Sequence, residues 1–165
     1  MQHYKYIDLN NNNLSQQIVE FVQPRPRLIG APDFANLVGA DAFRHCEPLV
    51  QAVETVCPWS EIYFIGVLKF NPDFKLIHQD QTPGYEYEWA LNIPVLNCAD
   101  TYTSFYQPRP GQTAEFVDRP DISAEYHVWR PEQVEEVERM YFTQPVLFNS
   151  SSIHCVHNPT DSVRV

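Results

Sequence analysis

The stretch ALNIPVLNCADTYTSFY, residues 90–106, indicates the fold class. Its two halves are short and rich in β-branched and aromatic side chains, and the segment NCAD between them has the composition of a turn or loop. In the first half, large apolar side chains occupy every second position, which is the spacing of a strand with one face against a core. We therefore expect two half-buried β-strands in this stretch.

Further short strands are expected on both sides of this pair. The clearest are EIYFIGVLKF, FKLIHQD, YEWALNIPVLN, TYTSFYQ, YHVWR and PVLFNSS, all within residues 59–165 and separated by Pro, Gly, Asp and Asn. One segment, PEQVEEVERM (residues 131–140), is instead predicted to be a short acidic helix or a turn. Many short strands with no long helix between them predict a mainly β fold, an antiparallel sandwich or jelly roll.

The first third of the chain has a helical pattern. LSQQIVEFV (residues 14–22) and DAFRHCEPLVQAVETV (residues 41–56) place apolar residues at helical spacing. The segment VQPRPRLIGAPDF between them carries three prolines and a glycine, and it is predicted to be a connecting loop. We expect residues 1–165 to form a single domain, in which helical residues 1–58 pack outside a jelly-roll core at residues 59–165.

Composition narrows the classes of partner. The chain of 165 residues carries 21 acidic and 11 basic residues, a formal net charge of -10, which disfavours tight binding of nucleic acid. Its four cysteines lie far apart without a C-x-x-C pair, as expected of reduced thiols in a cytoplasmic protein. The sequence has no signal-peptide pattern and no apolar run long enough for a membrane span. We expect a small-molecule or peptide substrate, and the oligomeric state stays open.

The first candidate site lies in KLIHQDQ, residues 75–81. Residues two apart on a strand share a face, so His78 and Asp80 converge on one point. This pair alone also fits an ordinary strand with a polar face. A second imidazole from His154, on a distant strand, would complete the two-histidine, one-carboxylate set that holds non-haem Fe(II).

The end of the chain supplies a second candidate group. Arg164 follows His154 by ten residues, with the turn signal NPTD between them. We expect this turn to return the arginine beside the histidine, on the next strand. A planar guanidinium can hold a carboxylate through two hydrogen bonds.

Alternation along the strands predicts further inward groups. If the apolar face of ALNIPV packs on the helices, Asn92 points into the barrel, although a strand-edge asparagine is an equal alternative. In TYTSFY either of two sets of alternate residues can point inward. One set includes Thr103 and the other includes Tyr106, and both residues are candidates to contact a cosubstrate.

The remaining histidines are predicted not to be ligands. His157 is three residues from His154 and needs a different chain path to reach the same metal, while His3, His45 and His127 are expected to be structural or solvated. The aromatic residues of QTPGYEYEW, residues 81–89, are candidates for a lid over the site or for a simple cover of its mouth.

Together these residues resemble the 2-oxoglutarate and Fe(II)-dependent oxygenases. The segments VLKFNPDFKLIHQD, ALNIPVLNCADTYTSFY and PVLFNSSSIHCVHNPTDSVR are similar to small bacterial and phage members related to prolyl and aspartyl/asparaginyl hydroxylases. The resemblance covers residues 60–165 and implies a double-stranded β-helix core. It implies that His78, Asp80 and His154 bind Fe(II) as the catalytic metal and that Arg164 pairs with the distal carboxylate of 2-oxoglutarate. It also implies a hydroxylase that consumes O2 and releases succinate and CO2.

Two other functions use the same residues. A non-enzymatic jelly roll would bind a metal or a small molecule in the same cavity, and a zinc hydrolase would use the same three ligands with an open position. Arg164 discriminates between them, because it has a role with 2-oxoglutarate and no necessary role in hydrolysis. The substrate does not follow from the sequence, since the loops around the mouth determine it.

Overall fold

The computed structural model of the protein describes residues 3–25, 27, 36–62, 64–72, 75–81, 89–119 and 124–165. In these residues the chain is mainly β, with antiparallel sheets and two α-helices. The prediction of a mainly β fold is therefore confirmed. The division of the domain at residue 58 stays a prediction.

The first helix has the predicted limits and the second is shorter than predicted. Helix α1 (Leu14–Val22) buries three side chains spaced four residues apart. The helix expected over residues 41–56 divides into a 3-10 turn (Ala40–Phe43) and helix α2 (Glu47–Glu54). Pro48 explains the break, because a residue without a backbone N–H is suited to the first turn of a helix and interrupts a longer one.

The strands of the described residues are short. They are β1 (Tyr4–Tyr6), β2 (Asn36–Gly39), β3 (Phe64–Val67), β4 (His78–Gln81), β5 (Trp89–Asn92), β6 (Tyr102–Pro108), β7 (Glu115–Arg119), β8 (Ala124–Val128), β9 (Val134–Tyr141), β10 (Val146–Asn149) and β11 (His154–His157). Strands β1, β2 and β7 are additional to those that the sequence pattern predicted.

The prediction of an acidic helix or turn at residues 131–140 is mostly wrong. A 3-10 turn (Pro131–Gln133) is followed by the long strand β9, which pairs with β6. The glutamates of β9 lie mainly on exposed positions, while Val134 and Met140 are buried. Long-range pairing and the burial of these two side chains therefore override the helical propensity of glutamate.

Two sheets enclose the core. The larger has the order β7-β8-β4-β11-β6-β9 and the smaller has the order β1-β10-β5, while β2 and β3 form a separate pair. The two larger sheets face each other, since the rings of Phe105 on β6 and Phe148 on β10 lie 6.3 Å apart between centroids. Both rings belong to one buried cluster with Cys98, Phe142, Met140 and Val146.

The helices cover the outer side of the smaller sheet. Leu91, Ile93 and Val95 pack against the core of α1 and α2, whereas Ala90 packs against the cluster between the sheets. The predicted alternation along this strand is thus confirmed. In the described part of the chain, no helix is long and apolar enough to cross a lipid bilayer.

The C-terminal residues pair with segments near Phe70 and after β5 rather than with β11. Arg164 forms an antiparallel bridge with Phe70, and the carbonyl of Val165 accepts hydrogen bonds from the backbone N–H groups of Val95 and Leu96. The turn before them is held by the amide of Asn158, which donates to the carbonyl groups of residues 70 and 162 at 2.8 Å each. The prediction that the arginine lies on the strand beside the histidine is therefore wrong, because this turn carries it to Phe70, while β11 pairs with β4 and β6.

Candidate metal centre

Two neighbouring strands bring three ligand groups together. His78 and Asp80 lie two residues apart on β4, and His154 opens β11 directly opposite His78. One ligand atom from each of the three residues lies within 4.8 Å of the others. The convergence expected from the sequence is present in the geometry.

Both imidazoles are oriented in the same way. Nδ1 of His78 lies 3.0 Å from the carbonyl oxygen of Leu76, and Nδ1 of His154 lies 2.8 Å from that of Ser152. A carbonyl only accepts hydrogen bonds, so Nδ1 carries the proton in each ring and donates it. The lone pair of each neutral ring is then on Nε2, the arrangement typical of metal-binding histidines.

The carboxylate of Asp80 lies beside the two imidazoles. Its Oδ1 atom lies 3.4 Å from Nε2 of His78, and its backbone N–H donates to the carbonyl of Ser150 at 3.2 Å. In the tautomer that donates from Nδ1, the facing atoms, Nε2 of His78 and Oδ1 of Asp80, are both electron donors. A cation between them would satisfy both atoms, which fits a metal site better than a simple hydrogen bond.

The surroundings favour the ligand forms of these groups. His154 is only 4% exposed, and burial together with the neighbouring His78 lowers the pKa of His154 to about 4. Burial opposes ionisation of Asp80, but the proximity of His78 and His154 outweighs it and keeps the pKa of this carboxyl below its usual value. At neutral pH the site therefore presents a neutral imidazole at His154 and a carboxylate at Asp80.

Aromatic rings pack around the two imidazoles. The ring of Phe148 meets His154 edge-on at 5.4 Å between centroids, and Tyr126 meets His78 edge-on at the same distance. Tyr126 is directly opposite Asp80 on β8. No local sequence pattern predicts these two contacts, because they depend on which strands become neighbours.

Arg164 is buried without a counter-ion among the described residues. Its side chain belongs to a residue only 4% exposed, and its guanidinium carbon lies 3.6 Å from the centre of the Phe142 ring and 4.9 Å from that of Phe70. Within the described part of the chain, buried Nε and Nη1 have no hydrogen-bond partner. Burial lowers the pKa of Arg164, yet a guanidinium stays charged at neutral pH.

The arginine and the metal ligands border the same cluster. Phe142, on which Arg164 stacks, and Phe148, which touches His154, both belong to the apolar cluster between the two sheets. The triad and Arg164 thus contact the same apolar cluster through two of its rings.

Two of the predicted inward residues share the face of the triad. Asn92 is opposite Val146 on β10, and both alternate with residues that face the helices. Thr103 is opposite Val156, which lies two residues from His154 and so on the same face. Each therefore lies on the inner side of its sheet.

Tyr106 lies on the other face. Its hydroxyl is 3.4 Å from Nε2 of His157, which is three residues from His154 and points away from the triad. The structure thus selects the alternative in which Thr103 points inward, and it does not bring Tyr106 or His157 to the metal ligands.

His3, His45 and His127 are not part of the triad. His3 makes structural contacts, as expected: its ring is stacked on Phe105 at 5.0 Å between centroids, and its Nδ1 lies 3.1 Å from the hydroxyl oxygen of Ser152. His127 packs on Phe116 on the outer face, and His45 is exposed. The predicted lid aromatics at positions 85 and 87 lie outside the described residues.

Comparison with protein-family models, curated proteins and solved structures finds no match. The chemical interpretation of this site therefore rests on its geometry. Three features define it: a convergent triad, two imidazoles with Nε2 free to bind a metal, and a buried guanidinium beyond a shared apolar wall.

Proposed function

We propose that the protein is an Fe(II)- and 2-oxoglutarate-dependent dioxygenase that hydroxylates a small-molecule or peptide substrate. The observation that carries this proposal is the buried guanidinium of Arg164, whose Nε and Nη1 atoms lack a partner in the described residues. A metal triad alone would suit many reactions. A triad with a buried, unpaired cation on the same apolar cluster suits a cosubstrate that is a metal chelator at one end and a carboxylate at the other.

The ligand set fits Fe(II). Two neutral imidazoles and one carboxylate on one face leave the opposite coordination positions open, as in non-haem iron oxygenases. The carbonyl groups of Leu76 and Ser152 fix the ring orientations, so the imidazoles need little rearrangement to bind. His78, Asp80 and His154 are the residues that would hold the metal.

The surroundings of Arg164 fit the distal carboxylate of 2-oxoglutarate. An isolated buried charge is unfavourable, and a carboxylate that hydrogen-bonds to a guanidinium removes most of that cost. The guanidinium lies over the rings of Phe142 and Phe70, and its Nε and Nη1 atoms lack a hydrogen-bond partner among the described residues. Asn92 and Thr103 are further candidates to bind the cosubstrate, because they lie on the inner faces of the sheets.

We also propose that the two facing sheets form a jelly roll. Along the chain β4, β5, β6, β9, β10 and β11 change sheet at every step except from β6 to β9, which pair with each other in the larger sheet, in the manner of two Greek keys. The antiparallel bridge between Phe70 and Arg164 would supply the first and last strands. The hairpin β7–β8 is then an insertion between β6 and β9 that extends the larger sheet beside β4.

The residues of the chain have distinct roles in the proposed reaction. When bound, iron and 2-oxoglutarate supply the oxidising power: one oxygen atom of O2 enters the substrate C–H bond as hydroxyl, and the other ends in succinate with release of CO2. Arg164 orients the cosubstrate by its carboxylate. Phe148 and the cluster behind it exclude water from one side of the site, which strengthens the electrostatic interactions there.

The alternatives use only part of this arrangement. A zinc hydrolase or a non-enzymatic binding protein would employ the triad, but would leave the buried charge of Arg164 without a function. For this reason the oxygenase is the better interpretation of the site.

The test is an anaerobic titration of 2-oxoglutarate into Fe(II)-loaded wild type, Arg164→Ala and Arg164→Lys. A lost charged hydrogen bond of this kind costs about 2 to 5 kcal/mol, so Arg164→Ala should weaken 2-oxoglutarate binding roughly 30- to 5000-fold. Arg164→Lys should recover only part of the affinity, because an ammonium lacks the planar fork. Fe(II) affinity should change little in both variants. Equal 2-oxoglutarate affinities in all three proteins would reject the proposal.

A further inference from the structure

The hairpin β7–β8 flanks the triad on the side away from the proposed cosubstrate residues. Along the larger sheet the order is β7, β8, β4 with His78 and Asp80, β11 with His154, then β6 with Thr103. On β8, Val128 is directly opposite His78 on one side and Glu115 on the other. The wall beside the metal ligands therefore continues directly into the hairpin.

A cleft of about 260 Å³ lies in this hairpin. It is lined by Thr113, Ala114, Glu115, Val128, Arg130 and Gln133. Glu115 and Val128 are direct partners and lie on the face that also carries His78, while Arg130 follows the end of β8 by two residues. Two of the lining residues thus lie on the triad face of the sheet.

The lining is mainly polar and holds two opposite charges, Glu115 and Arg130. Among the described residues, neither the carboxylate of Glu115 nor the guanidinium of Arg130 forms an ion pair. Val128 between them is partly buried. The amide of Gln133 is already engaged, because it donates to the carbonyl of Thr113 at 3.0 Å and accepts from the backbone N–H of Arg130 at 2.8 Å. The groups left for a ligand are one anion and one cation.

We propose that this cleft binds the substrate, and that the substrate is a free zwitterionic α-amino acid, its ammonium on Glu115 and its carboxylate on Arg130. This inference rests on the proposed function of the neighbouring triad. Adjacent strands lie about 4.8 Å apart, so a side chain that crosses Val128 reaches His78 within roughly one strand spacing. The length of a single amino-acid side chain spans that gap, whereas the volume of the cleft leaves little room for a folded protein partner.

The test titrates each of the twenty free L-amino acids, anaerobically and by calorimetry, into the full chain loaded with Fe(II) and 2-oxoglutarate. We expect at least one to bind, and Glu115→Gln and Arg130→Gln each to weaken that binding about 10-fold. Glu132→Gln and Arg44→Gln are matched controls, since both residues are exposed and neither lines the cleft. They should leave the affinity unchanged.

Derivatives of the amino acid assign the two charges separately. The N-acetyl form lacks the ammonium, so it should bind wild type and Glu115→Gln equally, and the methyl ester should bind wild type and Arg130→Gln equally. A protein that binds 2-oxoglutarate through Arg164 but no amino acid would overturn this inference and leave the proposed function intact. Amino-acid binding that neither substitution weakens would also overturn it.

The amino-acid site can also be tested if the proposed function fails. If wild type does not bind 2-oxoglutarate, the proposed function fails, and the amino acids are then titrated into the protein loaded with metal alone. Binding that depends on Glu115 and Arg130 would still support the cleft as an amino-acid site, and binding independent of them would overturn it.

Discussion

The two faces of strand β11 carry similar residue types but differ in whether the facing polar atoms can hydrogen-bond to each other. On the inner face, His154 lies with His78 and Asp80, and their facing atoms are electron donors that need a cation. On the outer face, His157 is stacked on Tyr102 at 4.5 Å between ring centroids, and its Nε2 atom meets the hydroxyl of Tyr106. Nε2 of His78 therefore faces another acceptor, Oδ1 of Asp80, whereas Nε2 of His157 faces a hydroxyl group that can donate to it.

Other polar groups on the outer face also contact one another. Glu136 accepts from the hydroxyl of Ser104 at 3.0 Å and from Arg139 at 2.9 Å, and the guanidinium of Arg139 covers the ring of Tyr102 at 4.4 Å. Each charged or polar group thus has a protein partner. Residue composition alone therefore does not identify a site. Histidine, aromatic and acidic residues occur on both faces of the sheet, and the candidate site is the face whose polar groups lack protein partners among the described residues.

The largest effect should come from removing a metal ligand. Loss of an outer-shell partner typically costs 10- to 100-fold in metal affinity, so Asp80→Ala and His154→Ala should lower Fe(II) affinity by more than about 100-fold. His157→Ala should keep the wild-type affinity, because its side chain lies on the outer face. Anaerobic equilibrium dialysis measures all three. Loss of iron in His157→Ala alone would reverse the assignment of the two faces.

A second effect concerns stability without the cosubstrate. Replacement of a buried ion pair by apolar residues of similar volume often stabilises a protein by about 1 to 4 kcal/mol, and a buried charge without a counter-ion is also unfavourable, so Arg164→Met should raise the free energy of unfolding. Addition of 2-oxoglutarate should stabilise wild type and not the variant. Urea unfolding of both proteins, with and without 2-oxoglutarate, measures this. A less stable variant in the absence of ligand would mean that the guanidinium is already satisfied.

The smallest effect should come from the outer network. Ser104→Ala removes one buried hydrogen bond to Glu136 and should cost about 1 kcal/mol of stability. The control is Ser60→Ala, at an exposed position outside the sheet. Iron and 2-oxoglutarate affinities should stay unchanged in both. A selective loss of 2-oxoglutarate binding in Ser104→Ala would show that the two faces are coupled.

Local patterns predicted the parts of the molecule that depend on local geometry. Helix α1 follows from its 3.6-residue period, and the convergence of His78 and Asp80 follows from the two-residue period of a strand. The alternation of ALNIPV also placed Asn92 on the inner face. In each case spacing along the chain determines direction.

The features that local patterns did not predict depend on strand pairing between distant parts of the sequence. The sequence could not tell which alternate residues of β6 point inward, so Thr103 and Tyr106 were both candidates until the register with β11 separated them. The same holds for β9, whose glutamates favour a helix when considered alone, and for Arg164, whose strand pairs with Phe70 rather than with β11. None of these pairings leaves a signal at one position of the sequence.

The most direct measurement is an anaerobic optical titration of the wild-type protein with Fe(II), followed by 2-oxoglutarate. The inner face predicts one Fe(II) per chain and, on addition of 2-oxoglutarate, a visible charge-transfer band that arises when the keto acid chelates the iron. The band should saturate at one 2-oxoglutarate per iron. Stoichiometric iron with no such band would contradict the oxygenase and leave a metal-binding protein as the interpretation of the triad.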